Sequence, residues 1–232
     1  MSSRRKLVKE TTMITQIIFD SLKRNWGKKY HSRLPGRKDI FISKANLSLS
    51  INLEVAHMND GEFDIYACID QLYDESAVMN VYLFHDHKTK HNLQDLYYEL
   101  SGVVRHELEH VMQIAYTDNQ YKKEFAKRYK LFGQNETFDN WSCMELEMIK
   151  RSKDGNFLDY MCNVNELPAF CNGFYEQAHL SNVPVHDIIN IYLSNCIKLG
   201  RLTDSDVVIC KKWLFTWLNN VFPLNTKIQL PA

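Results

Sequence analysis

The residues best suited to chemistry in this chain are two histidines and a glutamate within five consecutive positions. Residues 104–111 read VRHELEHV, so His106, Glu107 and His110 form the pattern HExxH. Residues four apart on a helix lie on one face, one turn apart, so both imidazoles could reach one zinc ion. Glu107 stands beside them, where its carboxylate could hold a metal-bound water. The spacing therefore predicts a zinc site in which the glutamate is the base.

The neighbouring residues indicate that the two histidines do not face the core. Helical angles of about 100° per residue gather one apolar stripe, formed by Tyr97, Leu100, Val104, Leu108, Val111 and Ala115. His106 and His110 point away from it, on the side that carries Glu99, Gly102 and Gln113. The alternative is a solvated polar face whose histidines bind nothing. The motif and the strand predicted before it favour a metal site.

A catalytic zinc site needs a third protein ligand and one open position. The six residues after the second histidine are VMQIAY, so the longer motif HExxHxxGxxH is absent. The favoured third ligand is Glu166 in the segment NVNELPAF, where Asn163 or Asn165 can cap a helix and Pro168 is tolerated in its first turn. The alternative role for Glu166 is that of a first-turn acid that favours the helix dipole.

Other polar residues are weaker candidates for the metal site. Glu145 and Glu147 lie in a short amphipathic segment, which would turn their carboxylates towards solvent. His85 and His87 occupy alternate positions at the end of a strand, so their side chains point in opposite directions. Residues 85–87 are therefore predicted to be a loop rather than a second metal site. The rival third ligands placed behind Glu166 are Glu145, Glu147, His179 at a helix end and His186 beyond it.

The spacing of apolar residues changes twice along the chain and predicts the elements that carry the motif. A helical period over about 7–26 is followed by alternation over about 39–85, which predicts a meander of strands around 40–42, 47–53, 63–67 and 78–84. Helical spacing then returns over about 92–116, 120–131, 141–150, 165–180, 185–199 and 204–221. Strands first and helices afterwards predict an α+β fold: an N-terminal helix, a mostly antiparallel sheet, the motif helix and a helical C-terminal half.

Composition limits the classes of partner. The 232 residues include 28 basic and 28 acidic side chains, so no net charge draws the chain to nucleic acid or to anionic lipid. We find no apolar run of transmembrane length and no linker, and we expect one domain over 1–232, with a helix-and-sheet part (1–91) and a helical part that holds the metal (92–232). The six cysteines form no CxxC pair, which favours reduced thiols and a cytoplasmic location.

A strand, a HELEH helix and a later helix that begins near Glu166 and Ala169 together resemble a zincin metallopeptidase of the gluzincin type. The resemblance covers roughly residues 78–180 and extends to small zincin-like proteins of phages and bacteria. It implies that His106, His110 and Glu166 bind one zinc ion per chain. It also implies that the strand before the motif helix, residues 78–84, lines the substrate cleft.

The activity implied by this resemblance is hydrolysis of peptide bonds through a zinc-bound water, with Glu107 as the general base. Tyr160, just before the Glu166 helix, is the candidate for stabilising the tetrahedral intermediate. The expected partner is a peptide or protein substrate, with no nucleic acid and no membrane.

The alternative to an enzyme is a non-catalytic zincin-fold protein with a structural or binding role, such as a virion or assembly component. A phage-encoded protein of this kind would be virion-associated rather than cytoplasmic. The presence of Glu107 favours the enzyme, because a purely structural zinc site needs no base.

Overall fold

The structure is a computed structural model that describes residues 4–25, 32–33, 38–43, 45–57, 63–73, 76–85, 92–115, 156–163 and 165–222. The chain divides into two compact units, Met1–Tyr121 and Lys122–Ala232. The first unit contains a sheet and two helices, and the described part of the second is helical. The predicted α+β class is therefore confirmed, whereas the prediction of one domain over 1–232 stays a prediction.

The first unit contains seven described elements in chain order. They are α1 (Arg4–Asn25), β1 (Ser32–Arg33), β2 (Lys38–Ile42), β3 (Leu47–His57), β4 (Phe63–Tyr73), β5 (Ser76–His85) and α2 (Leu93–Ala115). The predicted positions of the helices and of the longer strands are confirmed, and most of their ends agree to within a few residues. β1 was not predicted, because two residues are too short to show an alternating pattern.

The strand order is β1-β3-β5-β4, and β2 also pairs with β3. β3 pairs with β5 in parallel. The pairings of β1 with β3, of β2 with β3 and of β4 with β5 are antiparallel. The predicted meander is wrong, because β5 lies between β3 and β4. Along β5, Met79, Val81 and Leu83 are buried, whereas Phe84 is 37% exposed, so the strand turns one face towards the core.

The core of this unit lies between the two helices and one face of the sheet. It joins fully buried residues of α1, β3, β5 and α2: Ile14, Ile18, Leu49, Ile51, Met79, Leu100, Val104 and Leu108. Burying each such side chain contributes roughly 1.5–3 kcal/mol, so the apolar stripe of α2 strongly favours one rotation of that helix. This rotation sets the direction in which the HExxH residues point.

The second unit contains four described helices: α3 (Phe157–Met161), α4 (Glu166–Ser181), α5 (Val185–Lys198) and α6 (Asp204–Val221). The last three confirm the predicted helices, whereas the short α3 was not predicted. Thr203 and Asp206 form a capping box at the start of α6. The predicted helices over 120–131 and 141–150 lie outside the described residues, and so do Glu145 and Glu147.

None of the helices in the described ranges is both long enough and apolar enough to cross a membrane.

Candidate metal centre

The motif helix α2 turns its apolar stripe into the core and leaves the histidines at the edge of the buried region. Leu100, Val104 and Leu108 are completely buried, as the helical angles predict. His106 and His110 are only partly buried. The helix therefore buries one side for stability and keeps the motif side accessible to a ligand.

The two histidines of the motif converge on one point. His106 Nε2 and His110 Nε2 are 3.1 Å apart, and the ring planes are inclined by 74°. Zinc binds imidazole nitrogen at about 2.0–2.1 Å, so two nitrogens of a tetrahedral site are separated by roughly 3.3 Å. The pair therefore fits a shared zinc ion after a movement of a few tenths of an ångström.

Glu107 completes the cluster beside the histidines. Its Oε1 atom lies 3.9 Å from His106 Nε2, and its side chain is 6% exposed, compared with 13% for His106. One ligand atom from each of His106, Glu107 and His110 lies within 4.8 Å of the others. In the described part of the chain, this is the only group of three or more His, Cys, Asp or Glu residues with a spacing suited to a metal ion.

His110 is also held from its other ring nitrogen. Its Nδ1 atom lies 2.7 Å from Oε1 of Gln113, which follows three positions later on α2. The helical angles place Gln113 on the histidine side, but no sequence motif predicts a role for it. Both nitrogens of the His110 ring therefore have polar neighbours, one within the motif and one outside it.

Tyr66 of β4 is an aromatic residue near the cluster that the sequence analysis missed. Strand β4 contacts α2, and the Tyr66 side chain is 56% exposed and stacks on Tyr82. Partial burial raises the pKa of the Tyr66 phenol, and the charges of Cys68 and Glu107 add to the effect. The phenol therefore lies within the electrostatic field of Glu107. Alternation along β4 turns Tyr66 outwards, but only the packing brings this strand beside α2.

Glu99 is a further acidic group on the histidine side of α2. Burial raises the pKa of the Glu99 carboxyl to about 7, with smaller contributions from the negative charges of Asp64 and Asp95. Asp64 lies on β4 and Asp95 in the first turn of α2. This end of the helix therefore disfavours additional negative charge.

The resemblance implied that residues 78–84 line the substrate cleft, but β5 is paired with β3 on one side and with β4 on the other. Its backbone donors and acceptors are used within the sheet, so it offers no edge to an extended peptide. Among the described strands, β4 has only β5 as a neighbour, and β4 also contacts α2. The edge next to the motif helix is therefore that of β4.

Glu166 and Tyr160 belong to the second unit. Glu166 is the first residue of α4, and its backbone N–H donates to Asn163 Oδ1 at 2.8 Å, whereas Asn165 at the N-cap position makes no side-chain capping hydrogen bond. Tyr160 lies in α3, where its ring contacts Phe157 and Phe170. Their assignments as third zinc ligand and as electrophile stay predictions.

Comparison of the chain with models of protein families, with curated proteins and with solved structures gives no match.

Proposed function

We propose that this chain is a zinc-dependent metallopeptidase with a zincin-like fold, and that His106 and His110 hold its metal. The observation that carries the proposal is the 3.1 Å separation of the two Nε2 atoms beside the carboxylate of Glu107. A structural zinc site is usually closed by four protein ligands. A pair of histidines next to a carboxylate that can act as a base suits hydrolysis better.

Zinc bound there would supply a Lewis acid that polarises the peptide carbonyl and lowers the pKa of a water molecule. Glu107 accepts a proton from the attacking water at its carboxylate. It then passes that proton to the amine nitrogen as the peptide C–N bond breaks. The position of Glu107 supports this role, because its carboxylate lies beside the two imidazole nitrogens that would hold the metal.

The substrate in this proposal is an extended peptide that pairs with the edge of β4. An unpaired strand edge presents a row of backbone N–H and C=O groups to another chain. The contact of β4 with α2 supports a site in which a peptide on this edge passes beside His106 and His110. Tyr66, within the field of Glu107, adds an exposed phenol to this side of the first unit.

Glu166 is the proposed third ligand. A carboxylate is one of the ligand types that accompany two histidines in catalytic zinc sites. Replacing Glu166 by Gln should therefore weaken zinc binding without affecting the two histidines.

The test measures zinc content and peptide hydrolysis in one set of purified variants. We expect about one zinc per wild-type chain and loss of zinc in His106→Ala and His110→Ala. Glu107→Gln should retain zinc and lose hydrolysis of a peptide library by about 10²–10⁴-fold, because the amide cannot act as the base. His179→Ala, at an exposed position of α4, is the matched control and should retain both properties.

Full zinc occupancy in both histidine variants would contradict the ligand assignment. Wild-type protein that binds zinc but cleaves no peptide would support the non-catalytic alternative, a zincin-fold structural or binding protein.

A further inference from the structure

We propose that Gln113 is a positioning residue that holds His110 in the tautomer whose Nε2 carries the lone pair that would bind zinc. This inference rests on the proposed function, because it assigns Nε2 of His110 as a metal ligand. It is based on the contact of Gln113 with Nδ1 of His110, whereas the proposed function is based on the separation of the two Nε2 atoms.

The contact between Gln113 and His110 determines where the imidazole proton lies. Gln113 Oε1 is 2.7 Å from His110 Nδ1, and a carbonyl oxygen can only accept a hydrogen bond. The proton must therefore lie on Nδ1, and a neutral imidazole then has a bare Nε2. Gln113 lies on the same helix, three residues after His110, so the helical backbone places the acceptor without help from another element.

The opposite side of the ring agrees with this assignment. His110 Nε2 lies 3.1 Å from His106 Nε2. If His110 Nε2 is bare, the hydrogen between the two rings is on His106, which donates it to His110. The two histidines are therefore not equivalent. His110 already presents a lone pair at Nε2, whereas His106 must lose the proton on its Nε2 before both rings can bind one ion.

The size of the effect follows from the behaviour of metal-bound histidines. Residues that accept a hydrogen bond from the second nitrogen of such a ring typically change metal affinity by about 10–100-fold when they are mutated. A Gln113 amide turned by 180° would instead donate to Nδ1 and force the proton to Nε2, which prevents zinc binding by His110. The two orientations thus predict opposite tautomers.

The experiment reads the tautomer directly and then the metal affinity. Long-range ¹H–¹⁵N NMR of zinc-free protein labelled at histidine, at about pH 8, should show His110 with its proton on Nδ1. Gln113→Leu should shift the His110 signals towards the Nε2–H form and weaken zinc binding by about 10–100-fold in competition with a chelator. Gln113→Glu keeps an acceptor and should retain both the tautomer and the affinity.

Gln94→Leu, at an exposed position in the first turn of α2, is the matched control and should change neither readout. An Nε2–H tautomer at His110 in the wild type, or equal zinc affinity in wild type and Gln113→Leu, overturns the inference. A tautomer change in Gln113→Leu combined with no zinc binding by the wild type supports the positioning role and overturns the proposed function. If Gln113→Leu fails to fold, loss of zinc affinity in Gln113→Glu overturns the inference.

Discussion

Glu99 lies on the histidine side of α2, seven positions before His106, and folding buries most of its carboxyl group. Its pKa is raised from an ordinary value of 4.5 to about 7, chiefly by burial and then by Asp64 and Asp95. The folded chain therefore binds this proton more tightly than the unfolded chain does. A single residue thus links the stability of the motif helix to pH.

The sign of this linkage gives a prediction. The stability that Glu99 provides is complete below pH 4.5 and is lost as the pH rises through about 7. Glu99→Gln cannot ionise, so it should be more stable than wild type above pH 7 by on the order of 1–3 kcal/mol, and this difference should vanish towards pH 4.5. Urea unfolding at several pH values measures it. Asp95→Asn should show a smaller gain, and a gain independent of pH would contradict the assignment.

At the scale of elements, the contact between α1 and α2 includes polar groups as well as the core. Ser101 donates to Thr15 of α1 at 3.3 Å, and both residues are buried. Arg105, one turn later on α2, donates to Glu109 at 3.2 Å, and this pair is buried too. Residues four apart lie on one side of a helix, so the pair continues the side of α2 that is turned towards α1.

Replacing only Arg105 should lower the free energy of unfolding more than replacing both members of the Arg105–Glu109 pair. Arg105→Met removes a positive charge 3.2 Å from the buried carboxylate of Glu109, and we expect a loss of about 3–5 kcal/mol in the free energy of unfolding. The double variant Arg105→Met with Glu109→Leu should recover most of this loss. Gln16→Ala, which removes an exposed hydrogen bond to Asp20 on α1, is the control and should cost a few tenths of a kcal/mol. Equal losses in the single and double variants would refute this interpretation.

At the scale of the whole molecule, both units contain cysteines that the structure shows as thiols rather than disulfides. Cys162, Cys171, Cys196 and Cys210 of the second unit are buried, whereas Cys68 of β4 is partly exposed. Burial raises the pKa of the Cys171 and Cys196 thiols, and a hydrogen bond with Cys162, together with burial, raises the pKa of Cys210. The thiols of Cys171, Cys196 and Cys210 are therefore protonated at neutral pH, and all four buried thiols are shielded from solvent.

Thiol titration tests this arrangement. A Cys143→Ser protein removes the one cysteine outside the described residues, so the signal comes from the five described thiols. In the folded protein, Cys68 should react quickly with a disulfide reagent and the other four at least about tenfold more slowly, because the thiolate is the reactive form. Denaturant should expose all five. A second thiol that reacts as fast as Cys68 would show that the second unit is less closed than described.

The local sequence is sufficient to identify the motif residues and to show that they share one side of a helix. His106, Glu107 and His110 share one side of α2 because the helical period is a local property and the apolar stripe selects which side is buried. For the same reason, the bounds of α2, α4, α5 and α6 follow closely from the spacing of their apolar residues. Helical angles also placed Gln113 on the histidine side, but only side-chain geometry brought its Oε1 to 2.7 Å from His110.

Only the tertiary structure decided which strand stands beside the motif helix. The alternation of apolar and polar residues predicted β3, β4 and β5 as strands. This alternation is the same whichever strand pairs with a given strand, so it does not predict the strand order. The parallel pairing of β3 with β5 joins residues 28 positions apart, and it moves β4, with Tyr66, to the edge that contacts α2. Such pairings are selected by burial and hydrogen bonding over the whole sheet, so no short stretch of sequence encodes them.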